Sequence, residues 1–293
     1  MTEITRACPL CDGTGRDLAF PFQIQYRGQI FAHVRCSRCA TVFVDPLPDD
    51  DTFRQIYTPE AYHDLYYNSS TDTAPYAQSV RLLSRFAPLG ARVLDYGCGG
   101  GHFLLACREL GFIPIGLEFD AEAADAASRL VGVPVQTIRD WHASPIQASV
   151  DVIHMGDVLE HLPAPADTLS ALLLSLKPSG LLFVEGPLED NASLVLWVAR
   201  CFGWLKLSVL LGRVGEGVPA HLFRTHATAQ RSFFQRLLPG ARELYWKVEE
   251  TGWPYASGGL PKRLIAAAAQ RLSGLRFMGR VMGNRFQIIL QVP

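Results

Sequence analysis

The chain is 293 residues long, 48% hydrophobic and 19% charged, which suits one large globular domain or two modest ones with a sizeable core. Its formal net charge of −1 excludes a global basic field of the kind that advertises nucleic-acid binding. No apolar core stands in the first residues to suggest a signal peptide, and the most apolar stretch, Leu194 to Leu211, is broken by Arg200 and Lys206, so no membrane-spanning helix is expected.

Seven cysteines include two Cys-x-x-Cys pairs, Cys8/Cys11 and Cys36/Cys39, separated by 24 residues. Two such knuckles bring four thiolates to the corners of a tetrahedron, the geometry that Zn²⁺ accepts. Four thiolates leave no open coordination position, so the zinc is structural. A redox dithiol would lead into a helix, and neither pair does; an iron–sulfur cluster is the other rival. Between the knuckles, Phe20 to Val34 alternates enough for a hairpin with Arg27-Gly28 near its turn. Residues 1–48 thus read as a zinc ribbon that needs its metal to fold. Cys98, Cys107 and Cys201 read as ordinary thiols, and cysteine usage of this kind suits a reducing compartment, with cytoplasm the default.

Thr41 to Val44 is expected as a short strand ended by Asp45-Pro46, and Asp49 to Asp51 cap a helix holding Phe53 and Ile56. Five tyrosines follow between positions 57 and 76; most would pack a bridge, while Tyr62 and Tyr66 are taken as acceptor-pocket residues, since tyrosine has a polar tip on an apolar body. Ala77 to Ala87 completes a helical linker or lid over residues 49–90.

Residues 91–293 alternate strand and helix, which predicts a parallel doubly wound α/β sheet with ligands at the carboxyl ends of its strands. The organising stretch is Val93-Leu94-Asp95-Tyr96-Gly97-Cys98-Gly99-Gly100-Gly101-His102. A strand, a glycine turn and a helix start bring backbone N–H groups and a helix dipole to one point. The dinucleotide fingerprint would need glycine at position 102, where His102 stands. The pattern Asp-x-Gly-x-Gly-x-Gly instead resembles motif I of the class I S-adenosylmethionine (SAM)-dependent methyltransferases. The resemblance implies that Gly97, Gly99 and Gly101 pack against the methionine part of SAM and that Asp95 helps hold its amino group. Glu118, 23 residues after Asp95 at the end of the next strand, suits the ribose hydroxyls. Strand three is expected over Val133 to Ile138, followed by Asp140 and Trp141, where the family places its adenine contacts. Strands four and five are expected over Val150 to Met155 and Leu181 to Val184, with a helix over Pro165 to Leu176 between them. Leu244 to Val248 and Arg285 to Val292 supply strands six and seven, antiparallel neighbours that complete a seven-stranded sheet.

DVIHMGDVLEHL, LLLSLKPSGLLFVEGP and the ribbon together resemble the zinc-ribbon-bearing subgroup, which includes sugar C-methyltransferases; their long C-terminal domain has no counterpart in this sequence. On the acceptor side, His161 and His221 are the candidate catalytic residues, His221 the preferred base, with Arg224 as an acceptor-binding residue. In the sugar enzymes an acid precedes the corresponding His and a Tyr follows it two residues on; here Ala220 and Phe223 stand there. His226 starts a helix and is a poorer candidate. Asp157-x-x-Glu160-His161 also resembles the Glu-x-x-Glu-His that binds Mg²⁺ in some quinone and small-RNA methyltransferases, although the first acid here is Asp and no second His follows. The stretch from Leu194, within an insertion over about 191–228, offers a lid over an apolar acceptor, a homodimer contact or a membrane-surface face, against plain core packing. The expected activity is methyl transfer to a small-molecule acceptor, foremost O-methylation of a sugar or natural-product hydroxyl. C-methylation of a keto-sugar and RNA modification, with the ribbon and its flanking Arg35 and Arg38 as clamp, are the alternatives.

Overall fold

A computed structural model describes residues 6–56, 74–144, 147–206 and 214–293. The ribbon forms as expected. Strands β1 (Arg16–Tyr26) and β2 (Gln29–Cys36) pair antiparallel. Arg27 and Gly28 turn between them, both with positive φ (48° and 82°), the backbone that matches a tight hairpin to strand twist. Strand β3 (Val42–Asp45) adds to β2, and helix α1 (Asp50–Ile56) starts where Asp49 accepts the Thr52 N–H.

The main sheet begins with β4 (Arg92–Tyr96), reached from helix α2 (Ala74–Leu83). Helix α3 (His102–Leu110) follows and buries Phe103, Leu104, Ala106 and Cys107 along one face. Next come β5 (Ile113–Glu118) and α4 (Ala121–Val131), which Asp120 caps through the Ala123 N–H. Strand three is shorter than its expected span: β6 covers only Val135–Thr137, because Thr137 accepts the Asp140 N–H and starts helix α5 (Ile138–Ala143). Strand β7 (Val150–Gly156) leads to a short 3-10 turn (Leu159–His161) and α6 (Pro165–Leu173). Here the expected helix is too long and the expected strand too short. The helix stops at Leu173, and β8 runs Leu176–Pro187, through Pro178, Ser179 and Gly180.

After β8 come α7 (Leu194–Lys206), the three-residue β9 (Val214–Glu216), the two-residue β10 (Phe223–Arg224) and α8 (Ala227–Leu237). Strand β11 (Arg242–Glu249), α9 (Leu260–Arg271), the small hairpin β12 (Arg276–Phe277) and β13 (Arg280–Val281), and β14 (Arg285–Gln291) complete the order. The seven-stranded sheet has the order β11-β14-β8-β7-β4-β5-β6, with β14 antiparallel to both β8 and β11.

A feature with no local sequence signal joins the ribbon to the insertion after β8. Strands β9 and β10, from the insertion, close the ribbon into a five-stranded sheet of order β10-β3-β2-β1-β9. Ribbon residues Leu10, Val34 and Phe43 lie in the same apolar cluster as Leu94, Phe233 and Phe234 of the main body.

Candidate functional site

Three regions of the described residues carry chemistry. The first is the cysteine cluster. Cys8 Sγ stands 3.5 Å from Cys39 Sγ, and Cys11 Sγ 3.6 Å from Cys36 Sγ, with all four sulfurs within 4.8 Å of one another. Four sulfurs bound tetrahedrally at about 2.3 Å would be about 3.8 Å apart, so the cage has the size and donor set of a structural metal site. Backbone turns hold each knuckle, through Asp12 N to Cys8 O and Ala40 N to Cys36 O.

The second region is the glycine turn between β4 and α3. Gly97, Gly99 and Gly101 all have positive φ. At Gly97 there is also no room, since an added Cβ would lie 2.7 Å from the Val158 side chain. Gly97 and Cys98 donate to Leu117 O, which ties the turn to β5. Glu118, at the end of β5, accepts the Gly99 N–H at 2.6 Å and the Phe119 N–H at 2.7 Å. Burial raises the pKa of this carboxyl while those N–H groups oppose the shift. Asp140 is exposed and hydrogen-bonded to Thr137, whereas Trp141 is buried in the core, 1% exposed, with no partner for its indole N–H among the described residues.

Beneath the turn lies an arrangement that the sequence reading missed. Asp95 is only 3% exposed, and its Oδ1 is 2.7 Å from His154 Nδ1 on the neighbouring β7. The His154 ring stacks on Phe103 at 3.7 Å, and its Nε2 faces Glu185 Oε1 of β8 at 3.6 Å. Glu185 also accepts from Ser79 and Gln287. Burial works against a charged His154, but the flanking Asp95 and Glu185 override it and lift its pKa to about 9. Glu185 is likewise buried, yet the contact with His154 carries it down to about 2. The available signal was a lone polar residue in the apolar run Val152-Ile153-His154-Met155.

The third region gathers the acceptor-side residues. The two histidines singled out from the sequence meet: the His161 and His221 rings are 4.7 Å apart, nearly perpendicular. His161 Nδ1–H donates to Ala220 O at 2.9 Å, which leaves Nε2 as its lone-pair nitrogen, 3.8 Å from Glu160 Oε1. Burial, with His221 adding to it, lowers the His161 pKa to about 3. His221 Nδ1 is 3.1 Å from Glu189 Oε1, and Arg224 Nε is 3.0 Å from Glu189 Oε2. Burial opposes charge on His221, yet Glu189 outweighs it and raises the pKa. Glu189, another residue not singled out from the sequence, thus supplies from the end of β8 the acid that does not precede His221 in sequence. Glu160 is buried without a hydrogen-bond partner for Oε1 among the described residues, and its pKa rises to about 8 through that burial. Glu160, His161 and His221 together form a second group whose ligand atoms lie within 4.8 Å. Asp157, the first acid of the motif in this loop, is instead held bidentately by Arg285 at 2.6 and 2.9 Å. His226 is the N-cap of α8; its Nδ1 accepts from Ala229 N–H and its Nε2 donates to Cys39 O. Tyr62 and Tyr66 lie outside the described residues. Val158, which touches the glycine turn, belongs to the loop that carries Glu160 and His161, so the two latter regions abut.

A family model described as a methyltransferase domain matches residues 69–253. With the sheet order and the glycine turn in place, the chain belongs to this methyltransferase-domain family, on a class I, Rossmann-like fold. Over 100 residues it is 33% identical to a ubiquinone biosynthesis O-methyltransferase of Proteus mirabilis, covering 32% of this chain and 41% of that protein. Over 110 residues it is 35% identical to the protein of the same name from Xanthomonas axonopodis pv. citri, covering 35% and 45%. The chain thus spans less than half the length of these curated relatives. Among solved structures, a chain of the complex between the Haloferax volcanii Trm112 methyltransferase activator and a methyltransferase is 16% identical, covers 74% of this chain and 89% of its own, and superposes with a TM-score of 0.51, a likeness of fold. Among the described residues, no helix is long and apolar enough to cross a membrane.

Proposed function

We propose that this chain transfers the methyl group of SAM to a small-molecule acceptor, foremost a hydroxyl group. The observation that carries the reading is the Glu189–His221 pair beside His161, next to the glycine turn. When bound, SAM supplies an electrophilic methyl on a sulfonium. The turn from Gly97 to Gly101 offers close backbone approach, Asp95 a carboxylate for the amino group, and Glu118 a carboxylate for the ribose; exposed Asp140 is the candidate for the adenine, whereas Trp141, buried in the core, offers it no surface. Glu189 fixes the His221 tautomer with the proton on Nδ1, so Nε2 is the basic nitrogen, the logic of a carboxylate–histidine dyad. His221 takes the acceptor proton as the methyl arrives, and Arg224 orients the acceptor. The curated relatives are named as O-methyltransferases, which favours oxygen over carbon or nitrogen. The sugar or natural-product class of acceptor rests on the ribbon resemblance. Structural zinc in the four-cysteine cage is part of the same reading.

RNA modification is the weaker alternative, because Arg35 and Arg38 are engaged internally, by Asp190 and by Cys11 O. A second reading of the histidines has a specific observation behind it: buried Glu160, with His161 and His221, has the donor set for a divalent cation that would polarise the acceptor oxygen. Metal content separates the two. A cation site adds a second metal per chain that Glu160→Gln removes; a purely basic His221 does not.

Calorimetric titration tests the core of the proposal. One SAM per chain is expected, with Glu118→Gln weakening binding by about tenfold or more, as expected when a hydroxyl-binding carboxylate is lost. No SAM binding by folded, zinc-loaded protein overturns it.

A further inference from the structure

Charge is balanced along most of this chain but not in two stretches. Between Asp190 and Glu216 there is no carboxylate, and there is none from Thr251 to the last residue. The structure sets these stretches side by side. Helices α7 and α9 are in contact, and Asn191 donates to Val281 O and Gly283 O while Gly283 N–H donates to Ala192 O.

Their outward faces are apolar where a surface is ordinarily polar. On α7, Trp197 is 70% exposed and Trp204 55%, two turns apart on one stripe, and Phe202, elsewhere around the helix, is 65% exposed. On α9, Ala266 and Ala269 face inward, while Leu260 and Leu264, one turn apart, are 70% and 63% exposed. The tip of the β12–β13 hairpin carries Phe277 and Met278, at 66% and 87%. Exposed cations accompany them: Lys262, Arg263, Arg271, Arg276 and Arg280.

Large exposed apolar side chains on adjoining elements mark an interaction surface. The charge decides which kind. A second copy docked through the same patch would set these five cations against five identical ones with no carboxylate between them. A nucleic acid would use the cations and could stack bases on tryptophan and phenylalanine, but it would gain nothing from the exposed leucines and methionine at the contact. Tryptophan, phenylalanine and leucine that enter the headgroup region, with lysine and arginine reaching anionic headgroups, are what a bilayer surface rewards. We infer that the face formed by α7, α9 and the β12–β13 hairpin docks on an anionic lipid bilayer. Helix α7 begins five residues after Glu189, so the docked face is continuous with the acceptor side of the site. The inference does not depend on the acceptor or on SAM.

The full chain is sedimented with vesicles of phosphatidylcholine alone, and with vesicles containing about one quarter phosphatidylglycerol, at rising salt. Binding is expected to the anionic vesicles, with a fall as salt rises. Lys262→Gln with Arg263→Gln should weaken it by about fivefold per charge removed. Trp204→Ser should weaken it and reduce the blue shift of tryptophan emission on binding that Trp197 and Trp204 share. Both are surface changes, and unaltered thermal unfolding of the variants shows that they fold. Absence of binding to anionic vesicles at low salt, or equal binding to neutral ones, overturns the inference. So does a solution dimer dissociated by Trp204→Ser, which would assign the face to a second copy, or binding of the wild type through the patch only to an acidic protein.

Discussion

His154 sits between two carboxylates, Asp95 and Glu185, in a site from which water is excluded, and its removal would leave both without their shared cation. The pKa shifts turn this into a pH dependence. Lifted to about 9 in the fold from an unfolded value near 6.5, His154 contributes stability that is complete below about pH 6.5 and is lost as pH rises through 9. Glu185, lowered to about 2, contributes stability that is complete above its unfolded value and is lost as pH falls toward 2. Both contributions are intact from about pH 5 to 6.5. Denaturant unfolding should therefore show His154→Gln less stable than the wild type at pH 6, with that difference shrinking by up to ~3 kcal/mol between pH 6.5 and 9, while the decline that Glu160 causes across the window is common to both. A difference that stays constant across the window would contradict the assignment. A second residue-scale expectation concerns His221. Glu189 raises its pKa, so Glu189→Gln should move its imidazole titration to lower pH, visible in the ring-proton resonances. An unchanged titration would remove Glu189 as the partner that sets the base.

At the scale of elements, the ribbon does more than hold a metal. His221 stands two residues before β10, and β10 is held by β3 of the ribbon, whose neighbouring strand β2 ends in Cys36. Loss of the metal should therefore reach the acceptor site through these strands. Purified protein is expected to hold a tightly bound zinc that Cys36→Ser abolishes, with a loss of several kcal/mol of stability and altered His221 resonances; retention of zinc by the variant would sink this assignment. What the sequence revealed of these elements follows the range of the forces involved. The glycine turn, the Arg27-Gly28 hairpin and the Asp49 cap are set by φ angles and neighbouring N–H groups, so residues a few positions apart announce them. The meeting of His161 and His221 was legible as two candidates but not as a contact, because 60 residues separate them. Strands β9 and β10 are too short to show a period of two, and they exist only through pairing with β1 and β3. His154 and Glu189 escaped notice because what distinguishes them is a partner on another strand or loop. The early end of strand three was written in Thr137, a cap whose competition with the strand is visible only when the Asp140 N–H is seen to reach it.

For the whole molecule, a separation into ribbon and catalytic domain describes the sequence better than the packing. The ribbon sheet takes an edge strand on each side from the insertion, and its apolar residues share one cluster with the main core. Polar contacts cross the same boundary: Arg35 to Asp190 at 2.5 Å, Arg236 to Leu10 O at 2.7 Å and His226 to Cys39 O at 3.1 Å. A domain boundary is where few contacts cross, and this one fails that condition. Opening the ribbon alone would uncover Phe43 and Val34, both buried, along with Phe233 and Phe234, and would leave β3 and β10 without their partners. Each such side chain costs roughly 1.5–3 kcal/mol to expose, so the partly opened state should lie well above the native one. Scanning calorimetry of the metal-loaded chain should then give a single transition with van't Hoff and calorimetric enthalpies in agreement. Two resolved transitions, with the cysteine cage melting apart from the seven-stranded sheet, would show instead that the shared strands are a dispensable seam and that His221 is positioned by the main sheet alone.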